Sequence, residues 1–373
     1  MKRLSTIILI CFTICILSLR ALAVDEDTDS FDTMQRETYG IGALEEAVPD
    51  EAEKAFDGLT IEKAMHPQTL LERFWSFMTG SSELVFRSAI QNAGAVFLLC
   101  FTISILSSFP MEAGQTKIIG LIGAIALALF CLQESDACVP LGFRTVTSLS
   151  DFSVKLLPAL CAAATAGGAI TSAGVKYSIS TLVLDLLITA ALQIIQPMLK
   201  IYIALCISGI ITQNEILQSI NRLMKSALRI CLIGTAILFT AYLSITGLLN
   251  ESIDAASVKA AKTAIAGALP VVGGILSDAA ASVISGAGIL RAGTGILGIA
   301  AVIAVCWIPY LSLGVHFLLY RLMSGFASAF ADKRISALLQ GFSDIYGMIL
   351  GTAGTVSLVL FVSIASLMKG VDI

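Results

Sequence analysis

GALPVVGGILSDAAASVISGAG, residues 267–288, decides how this chain is read. The run is too rich in Gly, Ala and Ser for a lipid-facing helix. It is also too apolar, and too closely flanked by apolar segments, for a water-exposed loop. It has an echo 112 residues earlier, LLPALCAAATAGGAITSAGV (156–175). That shift pairs Leu157-Pro158 with Leu269-Pro270, Ala169 with Ala281, Gly174 with Gly286, Pro197 with Pro309 and Leu199 with Leu311. A further match, Gly234-Thr235-Ala236 with Gly351-Thr352-Ala353, needs a shift of 117 and implies about five inserted residues.

Each copy reads in the same order. A Gly/Ala/Ser-rich segment (152–176; 264–290) precedes a long apolar helix with a central proline (181–211; 293–320). A basic amphipathic stretch (213–229; 321–345) and a further span (230–249; 346–368) follow. Both copies then face the same way, as in a parallel repeat. Two earlier spans, 88–108 and 117–133, are separated by Pro110. Glu134, Asp136 and Asp151 mark an acidic outer loop, with Cys138 in the same loop.

Composition fits a membrane. The 373 residues are 57% hydrophobic and 13% charged, with mean hydropathy +0.89, against roughly 25% charged residues in soluble domains. Lys2 and Arg3, the apolar run 4–19 and Ala21-Leu22-Ala23 form a signal peptide, with an uncleaved first span as the alternative. Residues 24–80 hold 14 acidic and 4 basic residues, an acidic head on a mildly basic body. From Glu51 to Met78 apolar residues recur at helical spacing with a break at Pro67. Short amphipathic helices on the outer membrane surface are expected there, with Trp75 suited to the interface.

The fold class is therefore all-α: a polytopic membrane helix bundle with a signal peptide, a parallel internal repeat and two re-entrant hairpins. The divisions are 1–23, signal peptide; 24–85, acidic extracytoplasmic head; 86–151, first helical pair; 152–249, repeat 1; and 250–373, repeat 2. Lys and Arg in short loops stay in the cytoplasm, so Arg222, Lys225, Arg229, Lys333 and Arg334 are expected there, facing a partner. Parity then requires the Gly/Ala-rich segments to enter and leave on the outer side. Irregular backbone at membrane depth is tolerated only inside protein or beside a wet cavity.

Catalytic chemistry is absent from the pattern. There is no phosphate loop, dinucleotide fingerprint, H-E-x-x-H or G-x-S-x-G, and no C-x-x-C among the nine cysteines,. No catalytic residue, cofactor or metal ligand is assigned, and no nucleic-acid partner. His66 and His316 stand apart and read as structural or surface residues. The ionisable groups expected at membrane depth are Asp185, Lys200 and Asp278. Asp278 either lines a polar path or caps a half-helix. Candidate gate or packing residues are Pro158, Gly174, Pro197, Pro270, Gly273, Gly274, Asp278, Gly286 and Pro309, with Gly288 also in the second run. Glycines allow close helix approach and prolines free backbone carbonyls. Tight packing and a gated path both remain open.

The stretch VKAAKTAIAGALPVVGGILSDAAASVISGAG (258–288) resembles the signature region of the stage III sporulation protein AE family. The signal peptide, acidic head and multi-span body agree over nearly the whole chain. The resemblance implies a multi-pass subunit of the mother-cell membrane around the forespore, within the stage III A channel or secretion-like complex. Implied partners are the other stage III A operon membrane subunits, the ring-forming subunits, the secretion-type ATPase and the forespore stage II Q protein, besides the lipid bilayer. The expected function is a non-enzymatic subunit of that complex. The alternative from the repeat alone is a self-sufficient secondary transporter or permease.

Overall fold

The computed structural model describes residues 41–64, 67–109, 113–212, 214–248, 273–330 and 333–368. The signal peptide, His66, Pro270 and the signature residues 258–272 lie outside the described residues. Among the described residues every regular element is helical. Three short helices come first: α1 (Ile41–Glu45), α2 (Asp50–Phe56) and α3 (Ile61–Ala64). The long elements are α4 (Pro67–Ser108), α5 (Ala113–Ala166), α6 (Ile170–Thr189), a π-helical turn (Ala190–Ile195), α7 (Gln196–Thr212), α8 (Glu215–Leu248), α9 (Gly273–Phe330) and α10 (Lys333–Met368). With α6, the π turn and α7 continuous, six helices are long and apolar enough to cross a membrane.

Several of these helices are longer than the sequence pattern implies. At 1.5 Å per residue, the 54 residues of α5 and the 58 of α9 extend roughly 80–90 Å, against a hydrocarbon core of about 30 Å. The expected loop at Glu134, Asp136 and Asp151 does not exist: all three lie within α5, as does buried Cys138. The expected break between the second Gly/Ala-rich run and the following span is also absent. Residues 273–290 continue into 293–320 as one helix. Small residues are good or tolerable helix formers once protein surrounds them, so low side-chain volume alone does not interrupt a helix.

The first Gly/Ala-rich segment does reverse direction, but at one point. Gly168 has φ +94°, Gly168 N–H donates to Thr165 O at 3.1 Å, and Ala169 N–H donates to Ala164 O at 3.0 Å. This pair of bonds with a left-handed glycine closes α5 in a Schellman motif. Helix α6 begins immediately after it. Its limbs are continuous with the long helices on either side.

The prolines are absorbed differently. Pro140 and Pro158 lie inside α5 and Pro309 inside α9. Pro197 follows the π-helical turn, where Gln196 N–H reaches back five residues to Ala191 O. A wide turn relieves the clash of a proline ring with the preceding carbonyl.

Helices α5, α9 and α10 pack against one another at the centre, with α4, α6–α7 and α8 around them. Two apolar cores are stacked along the bundle. One holds Phe152, Leu156, Leu297, Val302, Val359 and Leu360. The other holds Cys131, Tyr202, Leu313, Leu338, Phe342 and Tyr346.

Residues 41–64 belong to the first core. Leu44, Ala52, Phe56, Ile61 and Ala64 are buried in it. Phe56 stacks on Phe74 at 5.8 Å, and Phe74 meets Trp307 edge-on at 6.2 Å. Ile61 N–H donates to Glu45 Oε1 at 2.9 Å, and Arg73 Nη1 to Phe56 O at 2.9 Å. The apolar faces of these helices are thus packed into protein. They pack against α4, α5 and α9 in the first core. Pro67 opens α4, where its missing N–H has no intrahelical role.

Candidate functional site

Polar side chains inside an apolar bundle must find partners, because water is not available to satisfy them. Asp344 on α10 is 4% exposed although it bears a carboxylate. Lys225 of α8 forms a short ion pair with Asp344 Oδ2. Arg321 Nη1 of α9 lies 3.9 Å from Asp344 Oδ1. One carboxylate therefore ties three helices together.

A second pair joins α9 to α5. His316 Nε2 and Glu134 Oε2 are 3.1 Å apart, with side chains 8% and 15% exposed. His316 Nδ1 sits 2.7 Å from Ser312 O, and Asn92 Nδ2 donates to Glu134 Oε1 at 2.6 Å. The imidazole packs against the rings of Tyr346 and Tyr320 at centroid distances of 5.5 and 6.5 Å. Helices α4, α5, α9 and α10 thus all contribute to one buried polar knot.

Further rungs run along the bundle. Tyr310 and Ser357 hydroxyls are 2.5 Å apart. Tyr242 bonds both Ser180, at 2.9 Å, and Ser363, at 2.7 Å. Lys176 Nζ donates to Ser366 O at 3.2 Å. Each such interhelical bond contributes on the order of 0.6 kcal/mol, up to about 1.7. They act as registry devices for neighbouring helices.

The two basic stretches, 213–229 and 321–345, come side by side. Arg222, Lys225, Lys333 and Arg334 line one cavity of about 420 Å³ with Asp344, Asn221 and Gln340. Arg229 stands apart from it, lining a second cavity with Lys225. Four of the five residues expected to meet a cytoplasmic partner are therefore assembled in one place. Arg222 and Lys333 are exposed, and Arg334 is half-buried.

Among the described residues, none of the expected gate or packing residues lines these two cavities, and Pro158 alone of them lines a third. That cavity, of about 430 Å³ between α5 and α6, has Asp185 in the same wall. Pro197 is exposed and Pro309 buried. Gly273, Gly274 and Asp278 fall in the first turns of α9, and Gly286 is half-buried. A Cβ added at Gly174 or Gly288 would meet nothing within 4 Å, so no close approach among the described residues depends on either. The glycines that do set close approach are others. A Cβ at Gly142 would lie 2.2 Å from Ile349 Cγ2, at Gly341 2.3 Å from Cys206 Sγ, and at Gly295 2.2 Å from Met368 Cγ.

Asp185 and Lys200 are exposed, whereas among the described residues Asp344, His316, Lys176 and Arg291 are buried and the Glu134 side chain is 15% exposed. Sequence reading missed the Glu134–His316 pair because the partners are 182 positions apart and Glu134 was assigned to a loop. One signal pointed to it. His316 sits in a stretch, 292–320, with no Asp, Glu, Lys or Arg, where an isolated polar group needs a partner. Among the described residues no group of three His, Cys, Asp or Glu side chains is placed to hold a metal ion.

Comparison with known proteins settles the family. The family model for stage III sporulation protein AE matches residues 58–370. The chain belongs to that family. It is 22% identical over 312 residues to the stage III sporulation protein AE of Bacillus subtilis (strain 168), covering 81% of this chain and 76% of that protein. No solved structure matches. The family match begins within the 41–64 cap and runs to the end of the described helices, so it includes both buried pairs. With six apolar helices, this family member is a sporulation-related membrane protein.

Proposed function

We propose that the chain is the non-enzymatic integral membrane subunit of the sporulation channel or secretion-like complex that links mother cell and forespore. The observation that carries this reading is the family match over residues 58–370 on a body of six apolar helices. The partners are the other stage III A operon membrane subunits, the ring-forming subunits, the secretion-type ATPase and the forespore stage II Q protein. The site is the mother-cell membrane around the forespore.

The same reading orients the molecule. The basic surface at Arg222, Lys225, Lys333 and Arg334 faces the mother-cell cytoplasm under the positive-inside rule. The acidic head, the 41–64 cap and the α5–α6 turn at Gly167-Gly168 then face the intermembrane space. Helices α6–α8 and α9–α10 act as the two copies of a parallel repeat. Their support is the common order of parts, a proline-bearing helix followed by a short junction and a second long helix. The first Gly/Ala-rich segment turns the chain at Gly168 on the outer side, and the second runs from Gly273 into the long helix α9 without re-entering.

Affinity purification from sporulating cells after mild solubilisation is the direct test. Recovery of sporulation-specific membrane subunits and the ATPase is expected. Recovery of the chain alone, repeated with a functional tag, overturns the complex reading. Cysteine introduced at Lys333 is expected to react only after the mother-cell membrane is permeabilised.

The buried Lys225–Asp344 and Glu134–His316 pairs favour a second reading, a self-sufficient transporter, because ionisable groups in transporters mark ion paths. Substrate or proton flux through the purified chain in liposomes, without any partner, would move the conclusion to that reading.

A further inference from the structure

An amphiphilic groove lies between α8, α9 and α10. Its apolar part is formed by Leu232, Ile233, Ala236, Ile237, Phe317 and Met348, and its volume is about 420 Å³. Lys225, Arg229 and Asp344 stand at one end of the same groove. Lys225 and Asp344 also line the neighbouring polar cavity that Arg222 and Lys333 enter. An apolar slot thus leads into a basic chamber.

The three helices framing the groove change character at this end. On α8, residues 230–248 carry no charge, while Arg222, Lys225 and Arg229 lie just before them. On α10, residues 345–368 are uncharged and Asp344 precedes them. On α9, residues 292–320 hold no Asp, Glu, Lys or Arg, and Arg321 follows. From Arg229 to Thr240, where the groove ends, α8 rises about 16 Å. That matches the roughly 15 Å of hydrocarbon in one leaflet.

The charges do not cancel. Lys225 and Arg321 both address Asp344, leaving an excess of one positive charge there. Arg229 is exposed and has no salt-bridge partner among the described residues. Basic pockets between transmembrane helices recognise anionic lipid headgroups in this way.

We propose that this groove is a binding site for one anionic phospholipid. An acyl chain occupies the slot beside Ile233, Ala236 and Ile237, and the phosphate meets Arg229 and the two spare ammonium protons of Lys225. The headgroup reaches toward Arg222. The lipid would wedge exposed α8 against the α9–α10 core.

The test uses the full chain purified in detergent and titrated with phosphatidylglycerol, phosphatidylcholine and inorganic phosphate, read by native mass spectrometry. Phosphatidylglycerol should bind at least fivefold more tightly than phosphatidylcholine, and inorganic phosphate should not displace it. Arg229→Gln should weaken phosphatidylglycerol about fivefold, the effect expected of one basic residue. Ala236→Phe should fill the slot and abolish retention of either lipid, while Arg229 stays in place. Unchanged elution and helical content of both variants keep the comparison valid. Lys225→Gln is avoided, because it would strip Asp344 of its partner.

Three results overturn the proposal. One is equal affinity for the two lipids. Another is wild-type retention in both variants. The third is crosslinking of a photoreactive residue at 236 to a protein rather than to lipid in sporulating membranes.

Discussion

Helices α8 and α10 have nearly the same hydropathy and opposite fates. Their most apolar windows have mean hydropathy 1.9 and 2.1, yet 17% of the first and 67% of the second is buried within the chain. The helices that precede them differ in the same way, 28% buried for α6–α7 and 72% for α9. Apolarity therefore does not decide which helix lies inside. In lipid a leucine gains little by leaving acyl chains for another helix, so association depends on close packing and interhelical polar bonds. The inner helices have both: Gly142, Gly295 and Gly341 admit neighbouring side chains, and Tyr310–Ser357 and His316–Glu134 fix the register. Outer α8 instead shows Leu223, Ile230, Ile233 and Ile237, each at least half exposed. That surface is available for lipid or for another subunit.

The largest test of this contrast breaks the Lys225–Asp344 ion pair between the two classes. Asp344→Ala leaves Lys225 without its carboxylate and should cost about 3–5 kcal/mol, seen as a lower midpoint of thermal unfolding in detergent and lower chain levels in sporulating cells. Asp344→Leu with Lys225→Met should recover much of that loss. Failure of the double variant would give the pair a role beyond holding α8 to α10.

Truncation comes next. Leu360→Ala, at a fully buried position, should cost about 2–5 kcal/mol. Ile237→Ala, at a position 63% exposed, should stay within about 0.5 kcal/mol in detergent. Equal effects would erase the distinction between inner and outer helices.

Glycines sharpen it further. Gly142→Ala must displace Ile349 and should destabilise by about 1–3 kcal/mol. Gly174→Ala meets open space and should be neutral, or stabilising by up to about 1 kcal/mol through helix propensity. A destabilised Gly174 variant in cells but not in detergent would place a partner against that surface. A milder loss than at Gly142 is expected at the knot. Glu134→Gln keeps a bond to His316 possible and should cost about 1–2 kcal/mol, measured by the same unfolding midpoint.

Much of the architecture was legible. Long apolar runs, Pro110 and the basic stretch at 213–229 marked helices and their junctions, and six crossings were expected where six apolar helices stand. The structure departs from the sequence pattern where charges suggest loops. Glu134, Asp136 and Asp151 continue α5 because Glu134 has a partner inside the bundle, and a paired carboxylate does not need water. The closing glycine of α5, Gly168, is a Schellman cap that only the backbone reveals. The cap at 41–64 showed helical periodicity, but not what its apolar face would meet.

The sequence by itself determined the solvent and the elements: apolar length requires a membrane, and helical spacing with short polar junctions requires a bundle. Only the tertiary structure decided which helices lie inside and which charges meet. Lys225 and Asp344 are separated by 119 positions, and Glu134 and His316 by 182. Hydropathy is a property of one segment, whereas burial and charge pairing are properties of two. No local pattern records which partner a segment will find.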